Sequence, residues 1–191
     1  MPCSRPLRRR GAGGGGTGIG GLMRTQRITV ERVAAGSPPA DHWPGASPPD
    51  YASAFSLRPP GSPRPALGWL RGALEGAPAP LRGILRLGWR LALRLRLAPS
   101  TEVSVLGWKV VKDSPQRTVI AAPSPLITCC NVLDVTEEAV QWTTFVSFRH
   151  PLARPVWALV APVHHCFVPF GLRLAAARPG TGQAGPPAPA G

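Results

Sequence analysis

Residues 126–148 read LITCCNVLDVTEEAVQWTTFVSF. Two runs rich in β-branched and aromatic residues flank TEEA, the pattern of two antiparallel strands joined by a short turn. A two- or four-residue loop after Asp134 sets the register, and either length gives the same faces. Ile127, Cys129, Asn131 and Leu133 share one face with Val140, Trp142, Thr144 and Val146, because side chains alternate along a strand. The other face receives Thr128, Cys130, Gln141 and Thr143, with Val132 and Phe145. The first is the better core face, so Asn131 and Thr144 become polar groups inside it that need partners.

Upstream, VSVLGWKVV and RTVIAA flank the turn KDSPQ, so residues 103–148 read as four antiparallel strands. Downstream, residues 152–177 read as a long helix. Val156, Val160, Val163, Phe167, Phe170 and Leu174 form an apolar stripe at spacings of four and three. His165 points away from that stripe, and His164 and Cys166 flank it. Pro155, Pro162 and Pro169 predict a kinked or locally broken helix, since an interior Pro costs about 3 kcal/mol.

Toward the N-terminus, two helices are expected at about 66–76 and 80–97. In the second, Arg82, Arg86, Arg90 and Arg94 recur every four residues and spread over an arc of about 120°. Leu81, Ile84, Leu91 and Leu95 take the opposite side, which makes the helix amphipathic. YASAFSL (51–57) alternates as a strand, and Ile28, Val30 and Val33 suit another short one. The Pro-rich stretch 36–50 reads as a linker or surface loop. Residues 1–22 and 178–191 are of low complexity and are expected to be disordered, with Met23 a candidate start. The fold class is therefore α+β: an antiparallel sheet packed against a long C-terminal helix, with a helical pair before the main strands. One domain is expected at 50–177.

The chain is strongly basic, with a net charge of +13. Residues 1–32 hold seven Arg against Glu31, residues 58–96 hold eight against Glu75, and residues 97–150 are near neutral. No zinc-finger spacing, aromatic RNA-binding strand or basic-region heptad accompanies the charge, which argues against nucleic acid. No apolar run of 18 residues is free of Pro, His and charge, which argues against an ordinary membrane span. Four Cys in 191 residues do not make a disulfide scaffold, and a reducing cytoplasm suits them.

The blocks DYASAF (50–55), GALEGAPAPLRGILRLGWR (72–90), VLGWKVV (105–111), TTFVSF (143–148) and PLARPVWALVAPVHHCFVPFGLR (151–173) together resemble an actinobacterial family of small START-like proteins. That family is related to the polyketide cyclase (SRPBCC, helix-grip) group, and the resemblance covers about 50–177. It implies a cavity between sheet and C-terminal helix that holds a hydrophobic ligand; some members of the wider group catalyse cyclisation or dehydration. The chain has fewer N-terminal strands than the larger members, so a smaller cavity is expected.

Hydrophobic small-molecule binding is the leading functional expectation, with Trp108, Asn131, Trp142, Thr144 and His164 as the ligand-binding residues. One alternative is a peripheral membrane protein that lays Arg82, Arg86, Arg90 and Arg94 on an anionic surface. Another is a cyclase-type or dehydratase-type enzyme with His164 as acid or base. No Ser–His–Asp or Cys–His–Asn set can be assembled, so no catalytic residue is assigned. Metal and cofactor are not expected: Cys129 and Cys130 face opposite ways on a strand, and His164, His165 and Cys166 diverge by about 100° per residue on a helix.

Overall fold

The structure is a computed structural model that describes residues 28–41, 43, 47–58, 64–98 and 103–178. Of the segments expected to be disordered, 1–22 and 178–191, all but Arg178 lie outside those residues; Arg178 is placed, with a hydrogen bond to the Gly76 carbonyl. The elements are β1 (Thr29–Val33), β2 (Tyr51–Arg58), α1 (Ala66–Leu74), α2 (Ala79–Leu91), β3 (Ser104–Val105), β4 (Trp108–Asp113), β5 (Arg117–Pro123), β6 (Ile127–Val135), β7 (Val140–Phe148) and α3 (Ala153–Ala176). The strands form one antiparallel sheet in the order β1-β2-β7-β6-β5-β4-β3. The α+β class, the C-terminal helix and the two helices ahead of the main strands are as expected.

The β6–β7 hairpin has the four-residue loop, closed by Thr136 and Ala139, and pairs Asn131 with Thr144 and Leu133 with Trp142. β2 adds to β7 with Ser53 opposite Thr144 and Phe55 opposite Trp142. One face of the sheet packs against all three helices and carries the main core, including Phe55, Leu57, Ile120, Cys129, Leu133 and Trp142. On the opposite face Cys130, Val132 and Phe145 form a smaller cluster with Val119 and Trp43. Trp43 meets Phe145 edge to face at 6.2 Å. The stretch 36–50 thus contributes a buried side chain, and the sheet begins at Thr29, ahead of residue 50.

The expected strand 103–111 is two strands. Leu106 and Gly107 form a two-residue turn between β3 and β4, with φ of 51° and 93°. Positive φ at both central positions suits the right-handed twist of a hairpin and favours Gly at the second. The segment 103–148 therefore holds five strands, where the sequence suggests four.

α3 is continuous, not broken. Pro155 lies in its first turn, where a missing N–H costs nothing. Pro162 is solvent-exposed, and so is Ala158, whose freed carbonyl water can serve. The buried face of α3 is rotated by about one residue from the predicted stripe. Ala153, Trp157, Val168, Gly171, Leu172 and Ala175 are buried; of the predicted stripe Phe167 is buried too, whereas Val163 and Phe170 are exposed. Small residues explain the rotation. A Cβ on Gly72 of α1 would sit 3.2 Å from the Cβ of Ala175, and one on Gly171 would sit 3.3 Å from that of Ala73. Only the small-residue faces let the two helices approach so closely. Arg64 then closes the end of α3 by donating to the carbonyl of Ala175 at 3.0 Å, and Arg178 donates to that of Gly76 at 2.7 Å.

α2 ends at Leu91, six residues short of its expected end. Leu93 and Leu95 are buried in the extended segment that follows, and Arg94 between them adopts a left-handed φ of 50°. Arg94 therefore does not continue the arginine stripe. α2 also turns a different side to the core: Leu85 is its buried residue, while Ile84 and Leu91 point to solvent.

Candidate ligand cavity

A cavity of about 70 Å³ lies between the sheet and the helices. Its floor comes from alternate positions of four neighbouring strands: Trp108, Ile120, Cys129 and Asn131, Trp142 and Thr144. Leu85 and Trp89 of α2 wall one side, and Leu74 of α1 and Leu93 add to it. Trp157, Val160, Val163, His164 and Phe167 of α3 close the top. All five residues expected to hold a ligand, Trp108, Asn131, Trp142, Thr144 and His164, therefore line one space. No Asp, Glu, Lys or Arg is among the lining residues.

The two polar residues of the floor belong to a row across the sheet that continues past the cavity to Ser53. Ser53, Thr144 and Asn131 occupy paired positions on β2, β7 and β6. The Asn131 Oδ1 accepts from Trp142 Nε1 at 3.0 Å and from Thr144 Oγ1 at 2.6 Å. Both polar residues that the strand pattern places in the core thus find partners in each other and in Trp142. With Oδ1 committed to two donors, the Asn131 amide nitrogen has no partner among the described residues.

His164 sits within the buried side of α3 rather than beside it, a consequence of the rotated helix face. Its Nε2 lies 3.3 Å from Ser53 Oγ. Burial, reinforced by the neighbouring His165, lowers its pKa to about 4, so the imidazole is neutral at pH 7. His165 does not point away from the core: its Nε2 lies 2.5 Å from the Tyr51 hydroxyl. Tyr51 also meets Trp157 edge to face at 5.0 Å. β2 and α3 are joined here by two parallel polar contacts, Ser53–His164 and Tyr51–His165.

Trp108 and Trp157 line the cavity, and each has a buried Nε1–H with no acceptor. Trp89 packs edge to face on Trp108 at 5.5 Å. Tyr51, Ser53, Trp89 and Trp157 were not among the candidate site residues. The alternation of YASAFSL was a usable signal for the first two, since it sets Tyr51, Ser53, Phe55 and Leu57 on one face.

On the opposite face of the sheet a groove of about 450 Å³ runs between residues 36–40 and β5–β7. Its charged residues, Arg117 and Asp134, satisfy each other at 2.5 Å. Of the expected membrane-surface residues, Arg86 and Arg90 are exposed on α2 and Arg94 is exposed beyond it. Arg82 is partly buried and donates to the Glu75 carbonyl at 3.1 Å. α3 is long and apolar enough to cross a membrane by length and composition alone, a test that the core helix of a soluble protein also passes.

Comparison of the chain with protein-family models, with curated proteins and with solved structures finds no match in any of the three.

Proposed function

We propose that this chain binds a small, neutral, hydrophobic molecule in the cavity between its sheet and α3. The observation that carries this is the convergence of Trp108, Asn131, Trp142, Thr144 and His164 on one uncharged cavity. Apolar walls with a few placed polar groups are the usual make-up of a ligand site. The strand order supports the START-like resemblance: the first long strand pairs with the last, two helices intervene, and a final helix lies on the same face. The volume limits the ligand. About 70 Å³ is well short of the ~300–1,000 Å³ of drug-sized sites, so a full acyl chain does not fit with α2 in place. Val163 lines the cavity and is 59% exposed, which makes this part of α3 its mouth. The buried thiols Cys129 and Cys130 suit a cytoplasmic setting.

Catalysis by His164 is the weaker proposal. An imidazole with a pKa of about 4 is a poor general acid near pH 7, and the Ser53 beside it is not part of the cavity lining. The test is calorimetric titration of the full chain with methylenecyclopentane and cyclopentanone, beside Val163→Trp, which fills the mouth from an exposed position. Binding that disappears in the variant, with melting unchanged, supports the proposal. Absence of binding in both chains refutes it.

A peripheral membrane role is favoured by one separate observation. Ile84, Leu87 and Leu91 are 67, 58 and 70% exposed, on one face of α2 at spacings of three and four. Arg86 and Arg90 stand beside that face, the arrangement of a helix that lies on an anionic bilayer.

A further inference from the structure

The cavity has more hydrogen-bond donors than partners for them. Trp108 Nε1 and Trp157 Nε1 are buried without an acceptor, and the two residues are only 4 and 5% exposed. Asn131, 6% exposed, spends its oxygen on Trp142 and Thr144 and leaves its amide nitrogen without a partner among the described residues. These groups come from three elements, β4, α3 and β6, that meet at one space. A buried N–H left unpaired costs about 1–3 kcal/mol, so two such donors on residues that line one cavity, with the Asn131 amide nitrogen as a third group free to donate, favour a ligand that supplies acceptors.

Charge narrows the class further. No ionised side chain lines the cavity. A cation would lose its hydration with no carboxylate to replace it, and an anion would lose its own with no cation to replace it. We propose that the cavity selects a neutral molecule bearing a carbonyl or ether oxygen, held by the indole N–H groups of Trp108 and Trp157 and the Asn131 amide. This rests on the binding function proposed above and specifies its ligand class.

The experiment uses three probes of one size on the full chain: cyclopentanone, methylenecyclopentane, which replaces the oxygen by a methylene, and cyclopentylammonium. Affinity is read by calorimetry and the indole N–H signals by two-dimensional ¹H–¹⁵N NMR. Trp108→Phe and Trp157→Phe, which keep a ring and remove the N–H, assign the signals. The expected result is cyclopentanone binding about tenfold or more tighter than methylenecyclopentane, as one to two buried hydrogen bonds provide. Downfield shifts of the Trp108 and Trp157 indole protons should accompany it, and the ammonium should not bind. Equal affinity for ketone and hydrocarbon overturns the acceptor preference while leaving the cavity function standing. Tighter binding of the ammonium also overturns it. No binding by any probe overturns both. Should a Phe variant fail to fold, the relative affinities of the three probes for the wild-type chain still decide.

Discussion

Asn131 and Trp142 are joined across neighbouring strands by a buried hydrogen bond of 3.0 Å, indole nitrogen to amide oxygen. The same oxygen takes the Thr144 hydroxyl at 2.6 Å, so one acceptor holds two donors in the floor of the cavity. Asn131→Ala strips both donors of their acceptor. We expect a loss of about 2–4 kcal/mol in urea unfolding, the cost of two unpaired buried groups. A double-mutant cycle with Trp142→Phe should return a coupling of about 1 kcal/mol. A coupling near zero would show that the bond contributes nothing.

The state of His164 gives the fold an acid limit. Its pKa is about 4 in the folded chain and about 6.5 in the unfolded one. Between those values the unfolded chain binds more protons, so stability rises with pH. The contribution is complete above about pH 6.5 and is lost as pH falls through 6.5 toward 4. It amounts to up to about 3 kcal/mol. His165, lowered by burial and by Arg32, acts in the same direction. Urea unfolding of His164→Gln between pH 7.5 and 4.5 should show a shallower loss than the wild type. Parallel curves would contradict the buried neutral imidazole.

The thiols should separate by reactivity. Burial raises Cys129 well above the ordinary thiol range and pushes Cys130 up to about 12, whereas Cys166 is exposed. Only the thiolate attacks an alkylating agent. Brief iodoacetamide treatment of the native chain, mapped by peptide mass, should label Cys166 and leave Cys129 and Cys130 until urea is added. Native labelling of Cys129 at the rate of Cys166 would show that the cavity floor is open to solvent.

If α2 rests on membranes, both its charge and its apolar face matter. Arg82, Arg86, Arg90 and Arg94→Glu, or Ile84→Ser with Leu87→Ser, should each abolish co-sedimentation with vesicles containing anionic phosphatidylserine. Arg82→Glu also removes its bond to the Glu75 carbonyl, so melting is followed in parallel. Equal sedimentation of both variants and wild type would remove the membrane role.

Much of the cavity floor was legible because a strand repeats every two residues. The alternation of residues 127–133 and 140–146 assigns each side chain to a face whichever loop joins them, and the observed register agrees. The roof was legible in part: Val160, Val163 and Phe167 of the predicted stripe and His164 line the cavity, but the face that α3 packs on α1 was not. Val156, Val163 and Phe170 make the more apolar stripe of α3, yet Gly171, Ala153 and Ala175 are buried. What decides is how closely α1 and α3 can approach, which depends on smallness on both helices and not on hydropathy. The end of α2 did carry a signal. Leu91, Leu93, Leu95 and Leu97 alternate with other residues, a strand-like period that competes with the arginine spacing. Burial of Leu93 and Leu95 against the core decides it.

The most direct test is native mass spectrometry of the full chain purified from a bacterial host, compared with its denatured mass and with Val163→Trp. The account predicts an excess mass of a small neutral compound on the wild-type chain. It should be lost on denaturation and missing from the variant. A bare mass for the wild type, unchanged after incubation with a lipophilic extract of the host, would contradict it.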